Sequence, residues 1–190
     1  MFTRAFDINA AANVVLAQAF LPAMISNNHG HFMTVASSAS YFSLPNLCAY
    51  SMSKTAALAF LESLRAELRA VYKACRVRTS VVTPTKVRTV LAEGLNEGDD
   101  DFLMPVLEPI QVARAMADTL NSGLSRNISL PLGSALLPYL RALPEWYRGA
   151  LRAMGNTDAL VTPESISRGQ QALRGHQSNL DHMKKLGEHS

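Results

Sequence analysis

Tyr50 and Lys54 are spaced to form a proton-transfer device, in the run Ala49-Tyr50-Ser51-Met52-Ser53-Lys54. Residues four apart share one face of a helix, so an ammonium at Lys54 can stand beside the phenol of Tyr50 and favour its ionised form. A free phenol has a pKa of about 10, too high for acid-base work near neutrality, and a neighbouring cation corrects that. Taken alone, the pair also fits an ordinary surface contact on a helix. Ser37 changes the reading: it stands thirteen residues before Tyr50, at the end of an apolar run, His31-Phe32-Met33-Thr34-Val35-Ala36, that reads as a buried strand. A hydroxyl leaving a strand end can face a phenol entering a helix.

These residues carry a resemblance to the short-chain dehydrogenase/reductase superfamily. The matching text is Gly30-His31-Phe32-Met33-Thr34-Val35-Ala36-Ser37-Ser38-Ala39-Ser40, then Leu44-Pro45, then Tyr50 to Ala57, and it looks closest to the retinol and hydroxysteroid dehydrogenase branch. Upstream, Phe6-Asp7-Ile8-Asn9 and the Ala-rich segment after it resemble the family's fourth helix. Downstream, Val82-Thr83-Pro84-Thr85-Lys86-Val87-Arg88-Thr89 stands where the family has Pro-Gly-x-Val-x-Thr, with Thr85 in place of the glycine. The resemblance implies an NAD(P)-dependent oxidoreductase that interconverts an alcohol and a ketone or aldehyde on a small lipophilic substrate. It implies Tyr50 as the general acid/base and Lys54 as the group that lowers its pKa and binds the nicotinamide ribose. Ser37 would hydrogen-bond the substrate oxygen, and Asn9 would hold a water relaying protons from Lys54. Pro84, Val87 and Thr89 would join Tyr50 and Lys54 around NAD or NADP. The cofactor carries the hydride chemistry, and the protein supplies positioning and proton management.

Dinucleotide-binding folds open with a strand, a Gly-rich turn and a helix whose N-terminus holds the pyrophosphate. This sequence shows no such turn: its ten glycines are scattered, and Gly94-Leu95-Asn96-Glu97-Gly98 reads as a polar loop. The chain begins where relatives reach their fourth helix, about three strand-helix units of ~30 residues later than they do. The expectation is that only the nicotinamide half of the site is encoded. Two readings follow: a catalytic chain, or an inactive remnant that acts as a partner-dependent subunit or is a non-functional truncated product.

The elements that must position these residues alternate. Segments 4–27, 48–73 and 109–122 read as helices, and 31–37, 76–83 and 127–131 as strands. That order predicts an α/β fold: a partial Rossmann-like, doubly wound parallel sheet with right-handed crossovers, the C-terminal half of the family's fold. Leu58, Leu61, Leu64 and Leu68 recur at helical steps and should face the core, with Glu62, Arg65, Glu67 and Arg69 on the solvated side. The sheet edge beside 31–37 should lack a neighbour, which favours a homo-oligomer or a partner that supplies the missing strands.

Composition suits a globular unit, with 190 residues and 48% hydrophobic content. Cys48 and Cys75 give no disulfide framework, no Cys/His cluster has metal-ligand spacing, and Cys48 reads as a buried small hydrophobe. The net charge of +3 is dispersed and gives nucleic-acid binding no support. No window reaches eighteen uninterrupted apolar residues, so no transmembrane helix or secretion signal is expected. The membrane anchor of some relatives lies upstream of the matching region. The expected location is cytoplasmic, with peripheral contact to the ER or lipid droplets as the alternative.

Three further regions carry expectations. Gly94 to Asp101 is acidic and reads as either a disordered loop or a lid whose flanks, Val90, Leu91, Leu95, Phe102, Leu103 and Met104, line a hydrophobic pocket. Residues 135–154 should form two short amphipathic helices interrupted at Pro144. Their aromatic-rich face is expected to pack on the domain or a twin subunit, a membrane or lipid-droplet surface being the alternative. The chain thus divides into a truncated catalytic region over 1–132, amphipathic helices over 133–164 and a polar, loosely ordered tail over 165–190.

Overall fold

The computed structural model describes residues 2–92, 105–154, 161–171 and 174–175. Three parallel strands in the order β1-β2-β3 form its sheet: β1 Gly30–Val35, β2 Val77–Pro84 and β3 Asn127–Leu130. The register runs from Gly30 opposite Val77 to Val35 opposite Val82, and from Val81 opposite Asn127 to Pro84 opposite Leu130. Parallel strands need long crossovers, and the helices α3 (Cys48–Ala70) and α4 (Pro109–Ser122) lie in the two connections. The α/β expectation holds.

The core forms where the helical repeat of α3 meets the two-residue repeat of the strands. Leu58, Leu61, Leu64 and Leu68 pack with Phe32, Val77 and Val81 from the sheet and with Ala17 and Leu21 from a second helix. Ser80 and Val82 point to the opposite face of the sheet and are equally buried. Arg65 departs from the solvated face assigned to it. Its guanidinium reaches the sheet, donating to Thr79 Oγ1 at 2.8 Å, the Thr79 carbonyl at 3.2 Å and Asn127 Oδ1 at 3.0 Å. The long stem carries the charge past the leucines to carbonyl and amide acceptors.

The N-terminal helical segment comprises α1 (Phe2–Phe6), a π-turn over Asp7–Ala11 and α2 (Ala12–Ser26). Within Thr3–Ser26 an 18-residue window reaches a mean hydropathy of 1.6, so by length and composition the helix could cross a membrane, contrary to the sequence expectation. Uninterrupted apolarity was too strict a test, because Asn9 and Asn13 dilute the run without lowering its average far. Here the helix is an element of the domain, with Ala17 and Leu21 in the core and both asparagines hydrogen-bonded. Gly30 then takes φ +151°, and a Cβ there would meet Met24 Cγ at 2.5 Å.

α4 begins and ends where its sequence says. Glu108 and Gln111 form a reciprocal capping box, Pro109 opens the helix, and Gly123 closes it at φ +63°. Pro144 separates α5 (Leu137–Leu140) from α6 (Glu145–Met154), as expected. Their apolar residues pack only in part: Leu137 is buried, whereas Tyr139, Trp146 and Met154 are exposed. The tail also departs from its reading near its start. Residues 163–171 are helical, Ser165 is buried, and Thr162 and Ser165 exchange backbone-to-side-chain bonds at the helix entrance. Asn46 donates to the Val161 carbonyl at 2.7 Å, fastening this segment to the loop before α3. Cys48 is exposed rather than buried, because the first turn of α3 turns that side outward. The acidic loop and the pocket residues Leu95, Phe102, Leu103 and Met104 lie outside the described residues, as does the side chain of Leu91.

Candidate functional site

Ser37 follows β1 in extended conformation, at φ −162° and ψ 159°, and caps the short turn Ser38–Ser40 by accepting from the Ala39 amide at 3.2 Å. It is buried, and its hydroxyl lies 3.5 Å from the Pro84 carbonyl at the end of β2. Tyr50 stands in the first turn of α3, where the helix dipole favours negative charge, with the Ser37 side chain beside its phenol. The one Ser37 proton can therefore be given either to Pro84 or to the phenol.

Lys54 stands one helical turn further on. Its ammonium lies 5.9 Å from the centroid of the Tyr50 ring and donates to the Val35 carbonyl at 2.9 Å. Val35 ends β1, which is the edge of the described sheet. The electrostatics differ from the spacing argument, in which Lys54 lowers the phenol's pKa. Burial pushes the Tyr50 phenol above its usual value, and the Ser37 hydrogen bond opposes that rise only in part. Burial likewise pushes the Lys54 ammonium below its usual value. The cation lies over the ring and is held by a strand-end carbonyl rather than by the phenol oxygen.

Asn9 belongs to the site through a chain of bonds. Its side-chain amide donates to Ser53 Oγ at 3.0 Å, and the Ser53 hydroxyl donates to the Tyr50 carbonyl at 2.8 Å. The π-turn re-aims the Asn9 carbonyl, which accepts from Asn13 Nδ2 at 2.8 Å, while Thr34 of β1 donates to Asn13 Oδ1 at 3.2 Å. Thr34, Asn13, Asn9 and Ser53 thus tie the strand carrying Ser37 to the helix carrying Tyr50. The sequence reading missed Asn13, Thr34 and Ser53. The signal available for them was spacing: Asn13 follows Asn9 by one helical turn, and Ser53 follows Tyr50 by three residues.

Pro84 joins the group through its carbonyl. Val87 and Thr89 do not: Val87 bridges to Leu107, and the exposed Thr89 hydroxyl donates to the Val87 carbonyl at 3.4 Å. Among the described residues neither bonds to Ser37, Tyr50 or Lys54. Thr85, where the resemblance expects glycine, keeps a buried hydroxyl with no partner. A phenol, an ammonium and an orphaned hydroxyl grouped around the ends of two parallel strands suit the hydroxyls and amide of a nucleotide-type ligand.

Residues 1–100 match the short chain dehydrogenase family. The chain belongs to that family. Among curated relatives, human estradiol 17-beta-dehydrogenase 11 is 38% identical over 151 residues, covering 78% of this chain and 48% of the relative. Mouse epidermal retinol dehydrogenase 2 is 37% identical over 120 residues, covering 63% of this chain and 38% of the relative. These relatives place the short-chain dehydrogenase in the retinol and hydroxysteroid branch. The chain spans about half or less of their length. Among solved structures, a short chain dehydrogenase from Burkholderia cenocepacia in complex with NADP superposes with a TM-score of 0.59 at 26% identity, covering 83% of this chain and 58% of that one. A 7α-hydroxysteroid dehydrogenase complexed with NADH and 7-oxo glycochenodeoxycholic acid matches at 20% identity with a TM-score of 0.55, covering 68% of this chain and 53% of that one. The fold is the Rossmann-like fold of this family.

Proposed function

We propose that the chain carries the catalytic half of an NAD(P)-dependent oxidoreductase that interconverts a small lipophilic alcohol with its ketone or aldehyde. The observation that carries this reading is the grouping of Ser37, Tyr50 and Lys54 at the ends of β1 and β2, with the Ser37 hydroxyl at the Pro84 carbonyl and the Lys54 ammonium 5.9 Å from the Tyr50 ring centroid and bonded to the Val35 carbonyl. Lys54 would hold the nicotinamide ribose, with Tyr50 and Pro84 beside the nicotinamide half of the cofactor. When bound, NAD or NADP supplies the hydride acceptor or donor. In the oxidising direction Tyr50, as the phenolate, would take the alcohol proton on Oη. In the reducing direction it returns that proton to the new alkoxide. Ser37 Oγ donates to the same substrate oxygen, and Lys54 stabilises the phenolate when its ammonium stands beside Tyr50. Asn9, through Ser53, would also fix the turn that carries Tyr50.

A second reading rests on β1, which among the described residues is the edge of the sheet. Its edge residue Val35 satisfies its carbonyl with a catalytic lysine, so a strand added there, from another copy or from a partner, would compete for that carbonyl and release Lys54 toward the ribose. In that reading activity depends on the partner. Turnover of lipophilic alcohols and ketones with NAD(H) and NADP(H), by the chain alone and across its oligomeric states, tests both. Turnover that depends on Tyr50 supports the first reading, activity confined to an assembly supports the second, and folded protein inactive in every state contradicts both.

A further inference from the structure

The helix that carries Tyr50 starts without a cap of its own. Leu47 stands at the N-cap of α3, at φ −110° and ψ 21°, and no side chain there bonds the first turn. Leucine is among the poorest residues at that place, where a capping oxygen would ordinarily hold the amide two or three residues on, here that of Ala49 or Tyr50. Asn46, just before it, takes the left-handed conformation at φ +62°, and its side-chain amide donates at 2.7 Å to the Val161 carbonyl, 115 residues away. The acceptor is well held: Val161 is 2% exposed, and bonds between Thr162 and Ser165 fix the helix entrance that follows it. Arg152 makes a second contact with the same loop, lying 5.7 Å over the Phe42 ring. Loop 41–47 joins the turn capped by Ser37 to the helix start that carries Tyr50. The C-terminal part of the chain therefore grips the stretch that sets one residue against the other.

We propose that Asn46 is a positioning residue for Tyr50: its bond to Val161 makes the segment 161–171 a tertiary cap for α3 and sets where the phenol meets Ser37 and the substrate oxygen. This role rests on the reaction proposed above. A catalytic group displaced by about 1 Å loses on the order of a hundredfold in rate, so a cap that holds the start of α3 acts on turnover rather than on nucleotide binding.

Two substitutions tolerate the positive φ and so remove the bond without straining the backbone. Asn46→Gly deletes the donor, and Asn46→Asp sets an acceptor against the carbonyl. In the full chain, reduction of a lipophilic ketone with NADH or NADPH should show kcat lower by on the order of tenfold or more in both variants, with the nucleotide KM within about twofold. The circular dichroism spectrum should be unchanged. Hydrogen exchange read by mass spectrometry should quicken at residues 47–53 and, reciprocally, at 161–171. A kcat equal to the parent's in Asn46→Gly, or a fall that only tracks loss of folded protein, overturns the proposal. A parent that turns nothing over refutes the proposed reaction by itself, and exchange then decides the tertiary cap: quickened in both segments upholds it, unchanged in either overturns it.

Discussion

Replacing Asn13 by alanine cuts the bonded chain between β1 and α3 at its middle. The Thr34 hydroxyl, almost wholly buried, loses its acceptor, and a stranded buried polar group costs about 1–3 kcal/mol. The half-buried Asn9 carbonyl loses its donor, which water replaces in part, at about 0.5–1.5 kcal/mol. The midpoints give about 3 kcal/mol. With a urea dependence of about 2 kcal/mol per molar, the unfolding midpoint should fall by about 1.5 M at unchanged slope. Thr34→Val keeps the volume and removes the stranded hydroxyl, so it should cost about 1 kcal/mol. In the double variant the two losses should overlap by about 1 kcal/mol, because both act on one bond. Urea denaturation of the four proteins gives every term. An Asn13→Ala loss below about 0.5 kcal/mol, or strict additivity with Thr34→Val, would refute the reasoning that this chain of bonds holds the site's two elements together.

Three further outcomes follow from the geometry. Tyr50→Phe keeps the ring and removes the proton carrier, so carbonyl reduction should fall by about 10²–10⁴-fold while thermal unfolding barely changes; turnover equal to that of the parent would exclude Tyr50 as the acid. His31 bonds Ser80 Oγ at 2.9 Å, and burial first, then Arg78, holds its pKa below the usual 6.5. The folded state therefore binds fewer protons than the unfolded chain in this window, so stability should be lost as pH falls from 6.5 through the lowered value; His31→Gln should flatten that slope, read by denaturation across pH. Gly30→Ala forces a Cβ into Met24 Cγ at φ +151°, and should lower the melting temperature clearly, whereas Gly123→Ala, with open space around it, should cost only about 1 kcal/mol of backbone strain.

The parts of the fold that were legible in sequence are those where local chemistry and tertiary packing agree. The leucine repeat of α3 and the capping box, proline and glycine of α4 set those helices within a few residues of where they were read. The Ser37–Tyr50 pairing was legible because a strand end and a helix start are both marked locally. The π-turn at Asn9 was not, since one extra residue in a helical turn leaves the apolar repeat almost unchanged. Arg65 and α6 failed for the opposite reason. A periodic charge pattern says which residues share a face, and only the neighbours decide which face turns inward: acceptors on β2 and β3 drew Arg65 in, and Phe42 drew Arg152.

The measurement that tests the central claim most directly is calorimetric titration of the purified chain with NADH and NADPH, for the parent and for Lys54→Ala. The account predicts saturable binding of at least one nucleotide, lost in the Lys54 variant while the fold is retained. Folded parent protein that binds neither nucleotide, alone or as an oligomer, or binding untouched by removal of Lys54, would contradict it.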